Sequence, residues 1–146
     1  MTGGNSTGGN STGRVVVAYL VALVTMVALD ALWLGVLAGG IYRDALGPLL
    51  AERPNLGAAA AFYLLYPVGL MVFVIGPRLG ERAAVSNIAR GALFGFIAYA
   101  TYDLTSLAIV RDFSPAIAAL DMIWGAVISA DATGAALIAA RLVTRA

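Results

Sequence analysis

A chain of 146 residues that is 61% apolar and only 12% charged lies well outside the mix of soluble domains, which are about half apolar and a quarter charged, and it reads as a membrane protein. Its formal charge of +1 is near balance, and its nine basic residues are arginines scattered singly, so a nucleic-acid-binding patch is excluded. Cysteine, histidine and lysine are absent, which removes disulfides, thiolate metal sites, histidine-ligated haem or zinc, a histidine general base and a Schiff-base lysine.

The chain opens with a tandem Gly-Gly-Asn-Ser-Thr repeat at residues 3–7 and 8–12, too poor in apolar side chains to pack, and residues 1–13 are expected to form a disordered, low-complexity tail. Its Asn-x-Ser/Thr matches at Asn5 and Asn10 are not expected to be glycosylated, because the arginine distribution below puts them in the cytoplasm. Arg14 is followed by an apolar run that continues past Gly35 with no cleavage site at the usual length, so a secretory signal peptide is not expected.

Four apolar segments follow, at about 15–38, 57–76, 88–110 and 115–137, within a single transmembrane domain covering 14–146. Each can cross a hydrocarbon core about 30 Å thick at 1.5 Å per residue. Unbroken apolar runs of this length are helices, since barrel strands would alternate lipid-facing and lumen-facing residues. The expected fold is therefore all-α, an integral membrane four-helix bundle with short loops. Gly39-Gly40, Gly47-Pro48, Gly76-Pro77 and Ser114-Pro115 punctuate the connections. The last connection, 111–114, is so short that the final two helices must be antiparallel neighbours. One side of the bundle collects Arg14, Arg78, Arg82, Arg90, Arg141 and Arg145, the other only Arg43, Arg53 and Arg111. Both termini are accordingly expected on the inner side of a prokaryotic cytoplasmic membrane.

The acids are placed differently. Asp30, Asp103, Asp121 and Asp131, half of the chain's eight acids, fall inside the apolar spans with no obvious basic partner. A charged Asp at the centre of a spanning helix costs about 2.5 to 3.5 kcal/mol on insertion scales, so these side chains are expected to face the bundle interior or a wet cavity. Counted at 1.5 Å per residue, Asp30, Asp103 and Asp121 lie roughly 5 to 8 Å to the external side of the midplane, with Tyr63 at about that depth and Asp131 about as far on the cytoplasmic side. Helical periodicity groups Tyr19, Asp30 and Trp33 on one arc, Tyr99, Asp103 and Ser106 on another, and Asp121, Trp124 and Asp131 on a third.

The spacing Asp-x-x-Trp occurs twice, at Asp30 with Trp33 and at Asp121 with Trp124, with Gly35 and Gly125 close behind, a pattern open to reading as a relic of duplication. Three carboxyl groups held together in a low dielectric cannot all stay ionised, so protons or a cation must neutralise them. The plainer alternative is that protonated aspartates hydrogen-bond tyrosines and threonines across helices. Gly35-x-x-x-Gly39, Gly91-x-x-x-Gly95 and Gly125-x-x-x-Ser129 are expected to permit close helix approach. Pro67 is expected to kink the second span and to free the carbonyl of Tyr63 near the site.

The stretches Leu29-Asp30-Ala31-Leu32-Trp33-Leu34-Gly35, Ala61-Phe62-Tyr63-Leu64-Leu65-Tyr66, Tyr99-Ala100-Thr101-Tyr102-Asp103-Leu104-Thr105 and Asp121-Met122-Ile123-Trp124-Gly125 resemble signature segments of the predicted membrane protein family catalogued as domain of unknown function 2177. The likeness covers about 15–137, and the block 99–105 is its most specific part. The resemblance implies a four-helix membrane protein and supplies no activity.

Candidates for binding or proton relay are Asp30, Asp103, Asp121, Tyr63, Tyr102, Trp33, Trp124 and Asp131; no catalytic residue is singled out. Three readings stand: a carboxylate-lined site for protons, a cation or a small cationic solute; a membrane enzyme acting on lipid or isoprenoid; or an accessory subunit. No cofactor is evident. A hard divalent cation such as Mg²⁺ is compatible with aspartates, but no Asp-rich phosphotransfer motif supports it. The expected partners are the lipid bilayer and a second copy or another membrane protein, and not nucleic acid.

Overall fold

The computed structural model describes the backbone of residues 6–145 and the side chains of residues 11–143. All regular elements among these residues are helical: α1 (Ser6–Leu32), continued by a π-helical turn at Trp33–Leu37; a short α2 (Gly39–Leu46); α3 (Leu56–Leu70), continued by a second π-helical turn at Met71–Ile75; α4 (Val85–Ile109); and α5 (Pro115–Arg145). Four stretches are long and apolar enough to span a membrane, Ser11–Leu37, Leu56–Arg78, Val85–Ile109 and Pro115–Val143. The expected all-α, four-span fold is present.

The helix containing the first span starts at Ser6, inside the repeat. Once an apolar span has nucleated a helix, each further residue adds a hydrogen bond, so poor helix formers can be carried along. Residues 1–5 of the expected tail lie outside the described residues.

Local chemistry sets the other boundaries. The Asn55 side chain caps α3 by accepting from the backbone N–H of Ala58 at 3.0 Å. Pro115 opens α5, where the missing proline N–H breaks no helical bond. Buried Asn87 donates to Glu81 at 3.2 Å and to the carbonyl of Arg82 at 3.1 Å, fixing the connection before α4.

α5 is the central helix, packed along both α4 and α1, and α4 and α5 are the antiparallel neighbours that their short connection requires. Glycine makes this contact possible. A Cβ on Gly95 would collide with the carbonyl of Gly125, and one on Gly91 would lie 2.9 Å from the carbonyl of Ser129. In lipid, where apolar surface gains little by leaving its solvent, such close backbone packing supplies much of the association.

Gly35-x-x-x-Gly39 departs from that expectation: Gly35 faces open space, and Gly39 lies against the Leu34 carbonyl of its own helix. Gly76 lies in the same way against the Met71 carbonyl. Each π-helical turn brings forward a carbonyl five residues back, into the place a Cβ would occupy, so these two glycines accommodate the turns instead of joining helices.

The two ends of the bundle differ. An apolar cluster of Ala18, Ala22 and Met26 on α1, Leu70, Val74 and Ile75 on the second span, and Ile128, Ala132, Ala136 and Leu137 on α5 fills the end nearest the termini. Toward the other end α3 packs on α1, whereas the second span meets α4 chiefly through its π-helical turn. Above that turn the gap between α3 and α4 is bridged by rings, Tyr66 meeting Phe94 at 5.6 Å and Tyr99 at 6.1 Å.

Gly95→Val should push α4 off α5 and lower the thermal unfolding midpoint in detergent by the equivalent of about 1 to 3 kcal/mol, as overpacking does. Gly35→Ala should leave the midpoint nearly unchanged, and equal midpoints for the two variants would contradict the packing described.

Candidate functional site

The open end of the bundle surrounds a cavity of about 440 Å³. Every spanning helix contributes to its wall: Asp30 and Trp33 come from the first span, Tyr63 from α3, Tyr99 and Tyr102 from α4, and Asp121 and Trp124 from α5. Tyr42 of α2 also lines it. Among the described residues, no basic side chain lines the cavity.

Two carboxylates are held by neutral donors. Asp30 accepts from the Trp124 indole N–H at 2.7 Å and from the Tyr63 hydroxyl at 3.0 Å. Asp121 accepts from the Tyr42 hydroxyl, which in turn receives the Trp33 indole N–H at 3.3 Å. The two indoles stack face to face, with centroids 4.4 Å apart and planes 7° from parallel.

The repeated Asp-x-x-Trp segments are thus wired crosswise. Trp124 serves the aspartate of the other segment directly, and Trp33 serves the opposite aspartate through Tyr42. In each segment the three-residue spacing puts acid and indole on one face of a helix, and the close packing of α1 on α5 brings the two faces together. The π-helical turn begins at Trp33 itself, where such a turn re-aims side chains relative to the preceding helix.

Other candidates fall elsewhere. Asp103 is fully buried and does not line the cavity, and neither of its carboxyl oxygens has a hydrogen-bond partner. Burial and the bond to Asp121 push the Tyr42 phenol up, against the lowering effect of the Trp33 N–H, so it stays a neutral donor. Asp131, expected to face the interior, is exposed on α5, although it shares a helical arc with Trp124, which meets the first span. Tyr102 lines the cavity with its ring while remaining largely exposed.

Pro67 stands inside α3 and takes away the N–H that would bond Tyr63. The carbonyl captured by a side chain is the next one, Leu64, which accepts from the Tyr19 hydroxyl at 3.0 Å. Two turns farther along α5 from Asp121, Ser129 pairs with the Tyr66 hydroxyl at 2.8 Å and ties α3 to α5.

Sequence reasoning missed Tyr42. It sits outside the four spans, and the only available signal was an aromatic residue at a membrane interface, bracketed by Gly39-Gly40 and Gly47-Pro48. Among the described residues, no group of three acidic side chains is placed to hold a metal ion.

A family model described as predicted membrane protein, DUF2177, matches residues 15–138. The chain belongs to the DUF2177 family. No curated protein and no solved structure matches it. The matched region takes in every aspartate, tyrosine and tryptophan that lines the cavity, and leaves out the repeat at 3–12. In this DUF2177 chain the cavity is therefore built wholly from family sequence and not from an appendage.

The hydrogen bond from Trp124 to Asp30 should be measurable as coupling. In a double-mutant cycle of Trp124→Phe and Asp30→Leu, the unfolding free energies should be non-additive by about 1 to 3 kcal/mol, the range for a bond to a charged group. Additive effects would contradict the pairing.

Proposed function

We propose that the cavity binds a small organic cation from the external side of the membrane. The observation that carries this reading is that Asp30 and Asp121 border one cavity beside stacked indoles and receive hydrogen bonds from neutral groups alone. Such donors hold a carboxylate in position without cancelling its charge, which leaves a proton or a cation to do so.

Aromatic faces favour the same guest. A cation within about 6 Å of an indole or phenol centroid gains about 0.5 to 2 kcal/mol, more when it is desolvated. An organic ammonium group is weakly hydrated and needs no fixed set of ligands. A hard divalent ion asks for six or more oxygens, a poorer match to a site with two carboxylates.

The arginine distribution supports an orientation with both termini in the cytoplasm, which puts the 39–55 connection and the cavity mouth outside. Reporter fusions at the N-terminus, in the 79–84 connection and at the C-terminus should all score cytoplasmic; an external score at either terminus reverses the orientation. A second reading, proton relay, is favoured by Asp103, whose buried and unpartnered carboxyl can exchange a proton beside the cation site.

Binding is the direct test. With the protein in nanodiscs, tetramethylammonium should change tryptophan fluorescence saturably. Asp30→Asn and Asp121→Asn should each weaken binding by tenfold or more, about 1.4 kcal/mol, while Asp131→Asn binds as the parent does. Protonating a carboxyl removes the charge the cation answers, so affinity should fall as pH is lowered. Undiminished binding by both cavity variants, or none by the parent, refutes the reading.

A further inference from the structure

A second cavity of about 440 Å³ adjoins the first, lined by Phe62, Tyr66, Ala98, Tyr99 and Tyr102. Three of these residues, Phe62, Tyr99 and Tyr102, line both cavities, so the two share a wall of rings between α3 and α4. The cleft has no acidic or basic group in its lining.

Its position faces the bilayer. Tyr102 is 63% exposed and Phe62 38%, both on the spanning part of the bundle, where the surroundings are lipid. The gap stays open because the second span approaches α4 chiefly through Met71–Ile75, and Phe94 closes its lower end against Gly69. Ala98 is the one small residue in the lining and leaves the space that a larger side chain would fill.

We propose that the natural ligand is an amphiphilic organic cation that enters sideways from the bilayer, its ammonium head between Asp30 and Asp121 and its alkyl chain in the α3/α4 cleft. This rests on the cation-site reading above and names the class of cation. The occupant is chosen by charge and shape together: an anionic or zwitterionic lipid would bring a phosphate toward two carboxylates with no arginine in the cavity to receive it. A hydrophilic cation would fill the first cavity and leave the apolar cleft empty.

The test compares two cations with one head group, tetramethylammonium and octyltrimethylammonium, on the protein in phosphatidylcholine nanodiscs. Octyltrimethylammonium should bind at least tenfold more tightly. A tail also concentrates in the bilayer, so the cleft is separated from partitioning by Ala98→Phe, which should abolish the gain while leaving tetramethylammonium affinity as in the parent. A gain that survives Ala98→Phe, or no gain while tetramethylammonium binds, overturns the proposal. If neither cation binds, the cation-site reading fails and the proposal falls with it.

Should Ala98→Phe not fold, the parent protein still decides. An octyltrimethylammonium analogue with a diazirine at the tail end should label residues of the cleft. Labelling confined to lipid-facing positions such as Ile123 and Val127 would overturn the proposal.

Discussion

Two carboxylates in a low-dielectric bundle with no basic partner impose the constraint around which this protein is arranged. Isolated, each would be costly to keep at membrane depth. Their positions are instead set by indole and phenol donors drawn from four different helices, Trp124 and Tyr63 on Asp30, Tyr42 on Asp121, and Trp33 on Tyr42. A donor of this kind orients an acid but leaves its charge unanswered. The polar network therefore joins the helices and leaves the acids to be neutralised by protons or, as proposed above, by a cation.

The bundle is close-packed at one end and open at the other. Small residues on α4 and α5 bring those backbones together, and the alanine-rich face of α1 completes a dry core near the termini. Away from the core, rings replace backbone contact between α3 and α4, and rings pack with gaps that small residues would not leave. The π-helical turns lie at opposite ends, Trp33–Leu37 beside the cavity and Met71–Ile75 in the packed core, each with a glycine that tolerates the displaced carbonyl.

Much of this was legible in the sequence because membrane solvation restricts the alternatives. Apolar runs of spanning length can only be helices, so four spans and the α4/α5 pairing followed from composition and loop length, whereas α5 runs on to Arg145, past the expected limit at 137. Depth counting also put Asp30, Asp121 and Tyr63 near one level, and the cavity contains all three. What depth and periodicity cannot supply is which neighbour covers a given face at a given level. Asp103 and Asp131 were indistinguishable from the others by burial cost, yet one is sealed behind the cavity wall and the other faces outward. Glycine spacing misled for a related reason: Gly35 and Gly39 have the pattern of a helix contact, but a π-helical turn, which leaves no period of its own in the sequence, uses them internally. Tyr42 was invisible because it lies on an interfacial helix that hydrophobicity alone does not mark.

Asp30 and Asp121 are proposed above to answer a cation. Infrared difference spectroscopy on tetramethylammonium addition tests this proposal most directly, because carboxyl and carboxylate stretches report the groups themselves. Carboxyl-region difference bands should appear, lose intensity in Asp30→Asn and in Asp121→Asn, and persist in Asp131→Asn. Bands that disappear only with Asp131→Asn, or a parent spectrum without carboxyl changes at saturating cation, would contradict it.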